Sequence, residues 1–276
     1  MIDFHTHLHP PRLFAAIRRW FAERSDWKIE HQPTEPRDVA QVLAAAGVER
    51  FVFFSYAHRP GMAREINAWL AHTARKLGGA GLPLGTIHLD DPRYLEDLEL
   101  ALEAGCAGIK VHEDVQGLAL DDPRFDPAYE RIAARKGFVV AHVGPIPWRY
   151  PPGEGVARVE RVLLRHPELT LVVAHMGVPD TAAFCALFER YPGLYLDTTM
   201  VFAGSSPLAA PAAAAALRNH PRRILYGTDF PNVPYPYESE RNGLAALGLE
   251  ASALDSILRG NAARLIATFE NAKDAP

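Results

Sequence analysis

The chain alternates between two kinds of segment with few interruptions, and that alternation limits its fold more than any other feature. Short apolar runs that suit strands lie at Ile2–His7, Arg50–Tyr56, Pro83–His88, Ala107–His112, Gly137–His142, Thr170–His175, Leu194–Thr198 and Arg223–Asp229. Helical periodicity between them is clearest at Pro36–Ala46, Gly61–Leu77, Pro92–Ala104, Pro127–Lys136, Gly155–Arg165 and Pro179–Arg190. Several of these open with proline in the first turn, where a missing N–H does no harm. Gly47, Gly78, Gly105 and Gly137 follow the last periodic residue, as helix stops do. The strand runs are continuously apolar, which marks strands covered on both faces and therefore parallel. Eight such β-then-α units predict an α/β fold, a (β/α)8 TIM barrel forming one domain over residues 1–276. A doubly wound open sheet is the rival, but no glycine-rich nucleotide loop follows the first strand. In the barrel, loops after the C-terminal strand ends form the active face.

At 276 residues, 48% hydrophobic and 22% charged, the chain can bury a core of that size. The net charge is only -4 and no basic stretch interleaves with aromatics, which argues against nucleic acid. No apolar run is long enough to span a bilayer, and the sequence opens on a strand without a charged leader. No membrane partner and a cytoplasmic location are therefore expected. Cys106 and Cys185 have no partner at zinc-ribbon spacing and read as small buried thiols. The remaining partners expected are a small-molecule substrate and, at most, a second copy of the chain in a homodimer.

Five strand segments end on residues that can do chemistry. His5 and His7 stand two apart, so they share one strand face and can grip one ion together. Val139-Val140-Ala141-His142 and Val172-Val173-Ala174-His175 are near copies, each followed closely by glycine, Gly144 and Gly177. Asp229 ends an apolar strand, where a carboxylate is costly without a metal, a cation or a donor. The segment Ile109–His112 carries Lys110 beside His112. A lone histidine ending an apolar run is ordinarily a satisfied core residue. Histidines and a carboxylate converging on one barrel mouth are a metal-site inventory.

These pieces resemble the amidohydrolase superfamily of metal-dependent (β/α)8 barrels. Within it they resemble the amidohydrolase-2 branch, which includes aminocarboxymuconate-semialdehyde decarboxylase. The resemblance rests on Asp3-Phe4-His5-Thr6-His7, Gly108-Ile109-Lys110-Val111-His112, the two His-x-Gly strand ends, Gly227-Thr228-Asp229-Phe230-Pro231 and Gly260-Asn261-Ala262-Ala263-Arg264-Leu265. It implies that His5, His7, His142 and Asp229 hold one divalent metal, zinc ahead of manganese, iron or cobalt, with a water in the open position. It also implies that His175 is catalytic, polarising the substrate, orienting the water or binding a second metal, and that Asp229 takes the water's proton. A divalent ion brings the pKa of water from about 15.7 toward about 7, where a neighbouring carboxylate can act as base. Lys110, if carboxylated as in some superfamily members, would bridge to a second metal; otherwise it would bind a substrate carboxylate, with His112 competing for the role. Four filled ligand positions favour one metal.

The expected activity is hydrolysis of an amide, lactone or ester bond in a small polar substrate, with His175 stabilising the oxyanion. The alternative in the same site is non-oxidative decarboxylation of an aromatic or unsaturated carboxylic acid. That reaction asks for an arginine among Arg12, Arg59 and Arg149 pointing into the pocket beside aromatic walls. A non-catalytic binding barrel is the minor alternative, and its signature, a substituted ligand position, is missing. His9, His58 and His88 follow strands on the active side and are further substrate contacts to test. His166 and His220 belong to the opposite face, and His72 to the outside of a helix. Stiff pocket walls are expected from Pro145, Pro147, Trp148, Tyr150, Pro151 and Pro152, and from Pro234 to Tyr237.

Overall fold

Every strand ladder is parallel. The structure is a computed structural model that describes residues 1–24, 28, 29, 31, 33, 35–143, 153–204 and 211–273. The chain begins β1 (Ile2–His7), α1 (Pro11–Arg24), α2 (Pro36–Ala45), β2 (Arg50–Phe54), α3 (Ala63–Lys76), β3 (Gly81–Leu84), α4 (Tyr94–Glu103) and β4 (Gly108–His112). It continues α5 (Glu113–Gln116), α6 (Asp126–Ala134), β5 (Phe138–His142), α7 (Glu154–Arg165), β6 (Thr170–Val173), α8 (Thr181–Ala186) and β7 (Leu194–Asp197). It ends α9 (Pro211–Asn219), β8 (Ile224–Leu225), α10 (Ser239–Ala246), α11 (Ala251–Asp255) and α12 (Asn261–Lys273).

Strands β1 to β3 and β4 to β8 form two ladders in chain order, and backbone hydrogen bonds join them at both seams. Ala107 N–H donates to Pro83 and Lys110 N–H to Gly85, each at 2.9 Å, while Phe4 N–H donates to Tyr226 and His7 N–H to Phe230, each at 2.8 Å. The strands therefore run in order round a barrel. Ile2, Phe4, Val52, Phe54, Leu82, Leu84, Phe138, Val140, Val172 and Leu225 fill its interior, and α12 packs Ala262, Ile266 and Phe269 against that layer. Ile109, Val111, Val139, Ala141, Leu171 and Val173 turn outward into a second cluster with Val159, Val162 and Leu163 of α7. Both faces of the strands are thus dry, which is why the strand segments read as unbroken apolar runs.

Strand β1 breaks its own period. Asp3 pairs with Phe51 but Thr6 pairs with Phe53, so Phe4 and His5 together oppose the single residue Val52. The extra residue is a bulge, which reverses the inward and outward parity of the rest of the strand. Phe4 lies in the interior against Phe138, with ring centroids 5.0 Å apart. His5, next in sequence, also lies in the interior, edge-on to Phe54 at 4.8 Å.

Several expected boundaries shift. The eighth strand leaves its ladder after Leu225 instead of running to Asp229, because Tyr226 onward bonds to β1 instead of β7; Asp229 N–H donates to the His5 carbonyl at 2.9 Å. The third strand sits earlier than expected, at Gly81–Leu84, and α8 is shorter than the segment Pro179–Arg190. Helix α1 was not among the expected helices. Pro145, Pro147, Trp148, Tyr150, Pro151 and Pro152 lie outside the described residues. Tyr235 and Tyr237 are buried, so they pack instead of lining an open wall. No helix among the described residues is long and apolar enough to cross a membrane.

Glu240 ties α10 to the loop after β7. Its carboxyl oxygens accept the Phe202 and Ala203 N–H groups at 3.0 Å each, and burial, outweighing these bonds, pushes its pKa from the ordinary 4.5 up to about 8. A carboxyl whose folded pKa lies above its unfolded value holds a proton that the unfolded chain has released. Its contribution to stability is therefore complete below about pH 4.5 and is lost as pH rises toward 8. Relative to wild type, Glu240→Gln, which mimics the neutral form, is expected to gain in urea midpoint from pH 5 to pH 8. The difference isolates this carboxyl from the buried histidines, whose lowered pKa values make stability rise with pH up to about 6.5. An equal slope in the variant would show that Glu240 is ionised in the fold.

Candidate metal and catalytic site

The interior above Phe54 and Phe138 is polar, and its side chains come from six strand ends. At its centre the Asp229 Oδ1 atom lies 3.1 Å from His5 Nε2 and 3.0 Å from His7 Nε2. Among the described residues, His5, His175 and Asp229 form the compact group, one donor atom of each lying within 4.8 Å of the others. His7 attaches to this group through Asp229, and His142 through a contact of 3.0 Å between its Nδ1 and His175 Nε2. Lys110 Nζ, fully buried, donates to His5 Nε2 at 3.3 Å and lies 4.7 Å from the centre of the Phe54 ring. His112 stacks on His142, centroids 4.1 Å apart and planes 8° from parallel.

The backbone is distorted where these residues sit. Among the described non-glycine residues, positive φ occurs at His175 (56°), Met176 (54°), Met200 (65°) and Asp229 (68°), all just after β6, β7 and β8, and at Lys136 (52°) after a helix. Each left-handed non-glycine residue costs on the order of 1 kcal/mol or more, and such residues gather at functional sites. Gly227 solves a related problem without strain of its own. A Cβ there would lie 2.4 Å from Thr199 Oγ1 and 2.8 Å from His5 Cβ, so only glycine lets β8 approach the His5 backbone.

The proton positions follow from the partners. His175 Nδ1 faces the Thr199 carbonyl at 3.0 Å; a carbonyl only accepts, so Nδ1 carries the hydrogen and Nε2 presents a lone pair. Burial lowers the His175 pKa to about 4, leaving the ring neutral near pH 7. A neutral ring in this tautomer accepts a proton but has none to offer an oxyanion, so the expected oxyanion role moves to base or water-orienting acceptor. Burial would raise Asp229, yet His7 and His5 hold it well below the ordinary carboxylate value. Burial lowers Lys110 to about 8, and burial, reinforced by neighbouring positive groups, lowers His142 and His112 well below 6.5.

The set suits a divalent cation. His5 Nε2 and Asp229 Oδ1 are two electron-rich atoms 3.1 Å apart, and they require positive charge between them, whether a proton or a metal. Donor atoms around a tetrahedral zinc stand about 3.3 Å apart, so shifts of a few tenths of an ångström would admit the ion. The buried His7 Nδ1 atom has no partner among the described residues.

The remaining candidates divide clearly. His9 is buried and pairs through Nδ1 with Ser55 Oγ at 2.8 Å, with its ring stacked on His7. His88 is buried, and its Nδ1 accepts the Asp90 N–H. Arg12, His58 and Arg59 are exposed, which does not suit them to clamp a substrate. Arg149 lies outside the described residues. His166 pairs with Asp126 at 2.9 Å on the outer layer, and His72 is exposed. Both cysteines are free.

Asp197 was missed. Its strand, Leu-Tyr-Leu-Asp, closes an apolar run on a carboxylate, the same signal that identified Asp229. It is fully buried, and its Oδ2 takes His5 Nδ1 at 2.7 Å. Burial would raise its pKa, but His5 brings it down to about 2.

Parallel strands closed into a barrel, with strained backbone and a carboxylate between imidazoles at the strand ends, are the frame of a barrel enzyme with a candidate cation site. Comparison with known proteins places it further: residues 2–267 match the amidohydrolase family model, and the chain belongs to the amidohydrolase-2 family, enzymes of a metal-dependent superfamily. Three solved structures show the same fold. An uncharacterized TIM-barrel protein from Bordetella bronchiseptica shares 22% identity, with TM-score 0.76 over 98% of this chain and 100% of that one. The 2,6-dihydroxybenzoate decarboxylase from Rhizobium shares 19%, with TM-score 0.69 over 98% of each chain. A protein from Pseudomonas putida described as a 2-pyrone-4,6-dicarboxylic acid hydrolase shares 19%, with TM-score 0.68 over 97% of each. No curated protein matches the chain.

Proposed function

We propose that the protein is a single-metal hydrolase that opens an ester or lactone bond in a small carboxylated, unsaturated substrate. The observation that carries this reading is the Asp229 oxygen gripped by His5 and His7, with His175 in the same compact group. His5, His7, His142 and Asp229 would hold the ion, with zinc the first candidate among zinc, manganese, iron and cobalt. Bound there, a divalent ion would supply Lewis acidity, polarising a carbonyl and making a neighbouring water acidic enough to lose a proton near neutral pH.

The protein's own groups do the rest. Asp229, ionised throughout the neutral range, takes the water's proton. His175 Nε2, a lone pair fixed by the Thr199 carbonyl and now met by His142 Nδ1, would orient that water once His142 turns to the ion. Lys110 supplies a buried ammonium for the substrate carboxylate, and its place over Phe54, with Tyr56 and His112 5.4 Å apart nearby, suits a flat ring. Two of the structural relatives, by their names, act on ring carboxylates. An uncarboxylated Lys110 in this role leaves no bridge for a second metal.

Non-oxidative decarboxylation is the second reading, favoured by Lys110 as a carboxylate anchor. Of the arginines expected to clamp that carboxylate, Arg12 and Arg59 are exposed. Assay of cyclic esters and of hydroxybenzoates by the zinc-loaded protein separates the two: ring opening without release of carbon dioxide is expected, and release of carbon dioxide together with the decarboxylated ring, without ring opening, would overturn the hydrolase reading. His142→Ala is expected to lower zinc content well below stoichiometric. His175→Ala is expected to retain zinc while losing about 10²-fold in kcat, the lower end for a proton-handling group. The reverse pattern of zinc content would exchange the two roles.

A further inference from the structure

We infer that Asp197 is a positioning residue that aims the His5 Nε2 lone pair at the metal and fixes the His175 backbone at the same time; this rests on the single-metal reading above. Its two oxygens have separate duties. Oδ1 accepts the N–H of His175 at 3.0 Å and that of Thr199 at 3.2 Å, while Oδ2 accepts from His5 Nδ1 at 2.7 Å. The first bond holds the turn after β6 in which His175 adopts φ 56°, and the second holds the turn after β7 whose Thr199 carbonyl places the His175 proton. The Oδ2 bond keeps the His5 proton on Nδ1, so that Nε2 faces Asp229 and Lys110. One buried carboxylate thus sets the proton positions of residues on β1 and just after β6, 170 positions apart, with no contact to the reacting centre of its own.

The arrangement predicts what an amide would do. In Asp197→Asn the two backbone N–H groups require the amide oxygen at the Oδ1 position, which leaves the NH2 group facing His5. A donor facing Nδ1 drives the His5 proton onto Nε2, the atom needed for the ion. Loss of such an outer hydrogen bond ordinarily weakens metal binding about 10- to 100-fold.

The test titrates metal-stripped wild type and Asp197→Asn with zinc against a competing chelator, and reads the His5 ring protons by long-range 1H–15N correlation. Wild type is expected to bind one zinc with His5 protonated on Nδ1. The variant is expected to bind about 10- to 100-fold more weakly, with the metal-free His5 ring protonated on Nε2. Equal affinity with an unchanged His5 tautomer would overturn the positioning role while leaving the metal reading intact. Wild type that takes up no zinc would overturn the metal reading, and this inference with it. Should the variant fail to fold, zinc-loaded wild type decides alone: a proton on His5 Nδ1 supports the inference, and ligation through Nδ1 overturns it.

Discussion

Asp229→Asn is expected to lower kcat roughly 10⁴-fold while leaving the barrel folded, the upper range for loss of a general base. The amide cannot take a proton, and it brings no charge to offset the cation. Its oxygen also competes with its NH2 group for the two imidazoles that now meet Oδ1. The fold is expected to survive because Asp229 lies beyond the β8 ladder, and its backbone N–H keeps the His5 carbonyl at 2.9 Å. Steady-state kinetics alongside far-ultraviolet circular dichroism checks both halves. A variant with wild-type turnover would remove Asp229 from the chemistry altogether.

Gly227→Ala is expected to destabilise the protein by about 1–3 kcal/mol, the usual cost of inserting a methyl into a packed interior. The clash is with groups that have little freedom to retreat. His5 Cβ belongs to a strand hydrogen-bonded on both sides, and Thr199 belongs to the turn held by Asp197. Relief by moving His5 would spoil the cation site, so zinc affinity should fall together with the urea midpoint. A variant with both unchanged would mean that the strand can slide by more than half an ångström without consequence.

The strand ends were legible because two signals coincide there: a dry run on both faces and a terminal side chain that such surroundings punish unless it is partnered. That logic singled out His5, His7, His142, His175 and Asp229, with Lys110 and His112 on β4, and the structure gathers all seven side chains at one end of the barrel. The same logic would have found Asp197 as well, but a strand drawn to Thr198 placed the carboxylate inside the run instead of at its end. The left-handed turns at His175 and Met200 were hidden because neither residue is glycine, and part of what holds them is tertiary, the Asp197 carboxylate accepting the His175 and Thr199 N–H groups. Helix α1 was obscured by the Pro10-Pro11 pair, which reads as a loop although proline suits a first helical turn. The exposed arginines show the limit of loop reading: position along the chain told which end of the barrel Arg12 and Arg59 belong to, but not which way they face.

The bulge in β1 bears on how such a chain tolerates change over generations. Ile2 and Phe4 fill the floor while His5 and His7 reach the mouth, and the two duties are compatible only because one residue more than the ladder needs lies between Asp3 and Thr6. Deleting a single residue there would restore regular pairing and rotate either the floor pair or the histidine pair out of the interior. The five residues Asp3 to His7 therefore act as one indivisible word, and an insertion or deletion within it is expected to cost what a loop elsewhere would absorb.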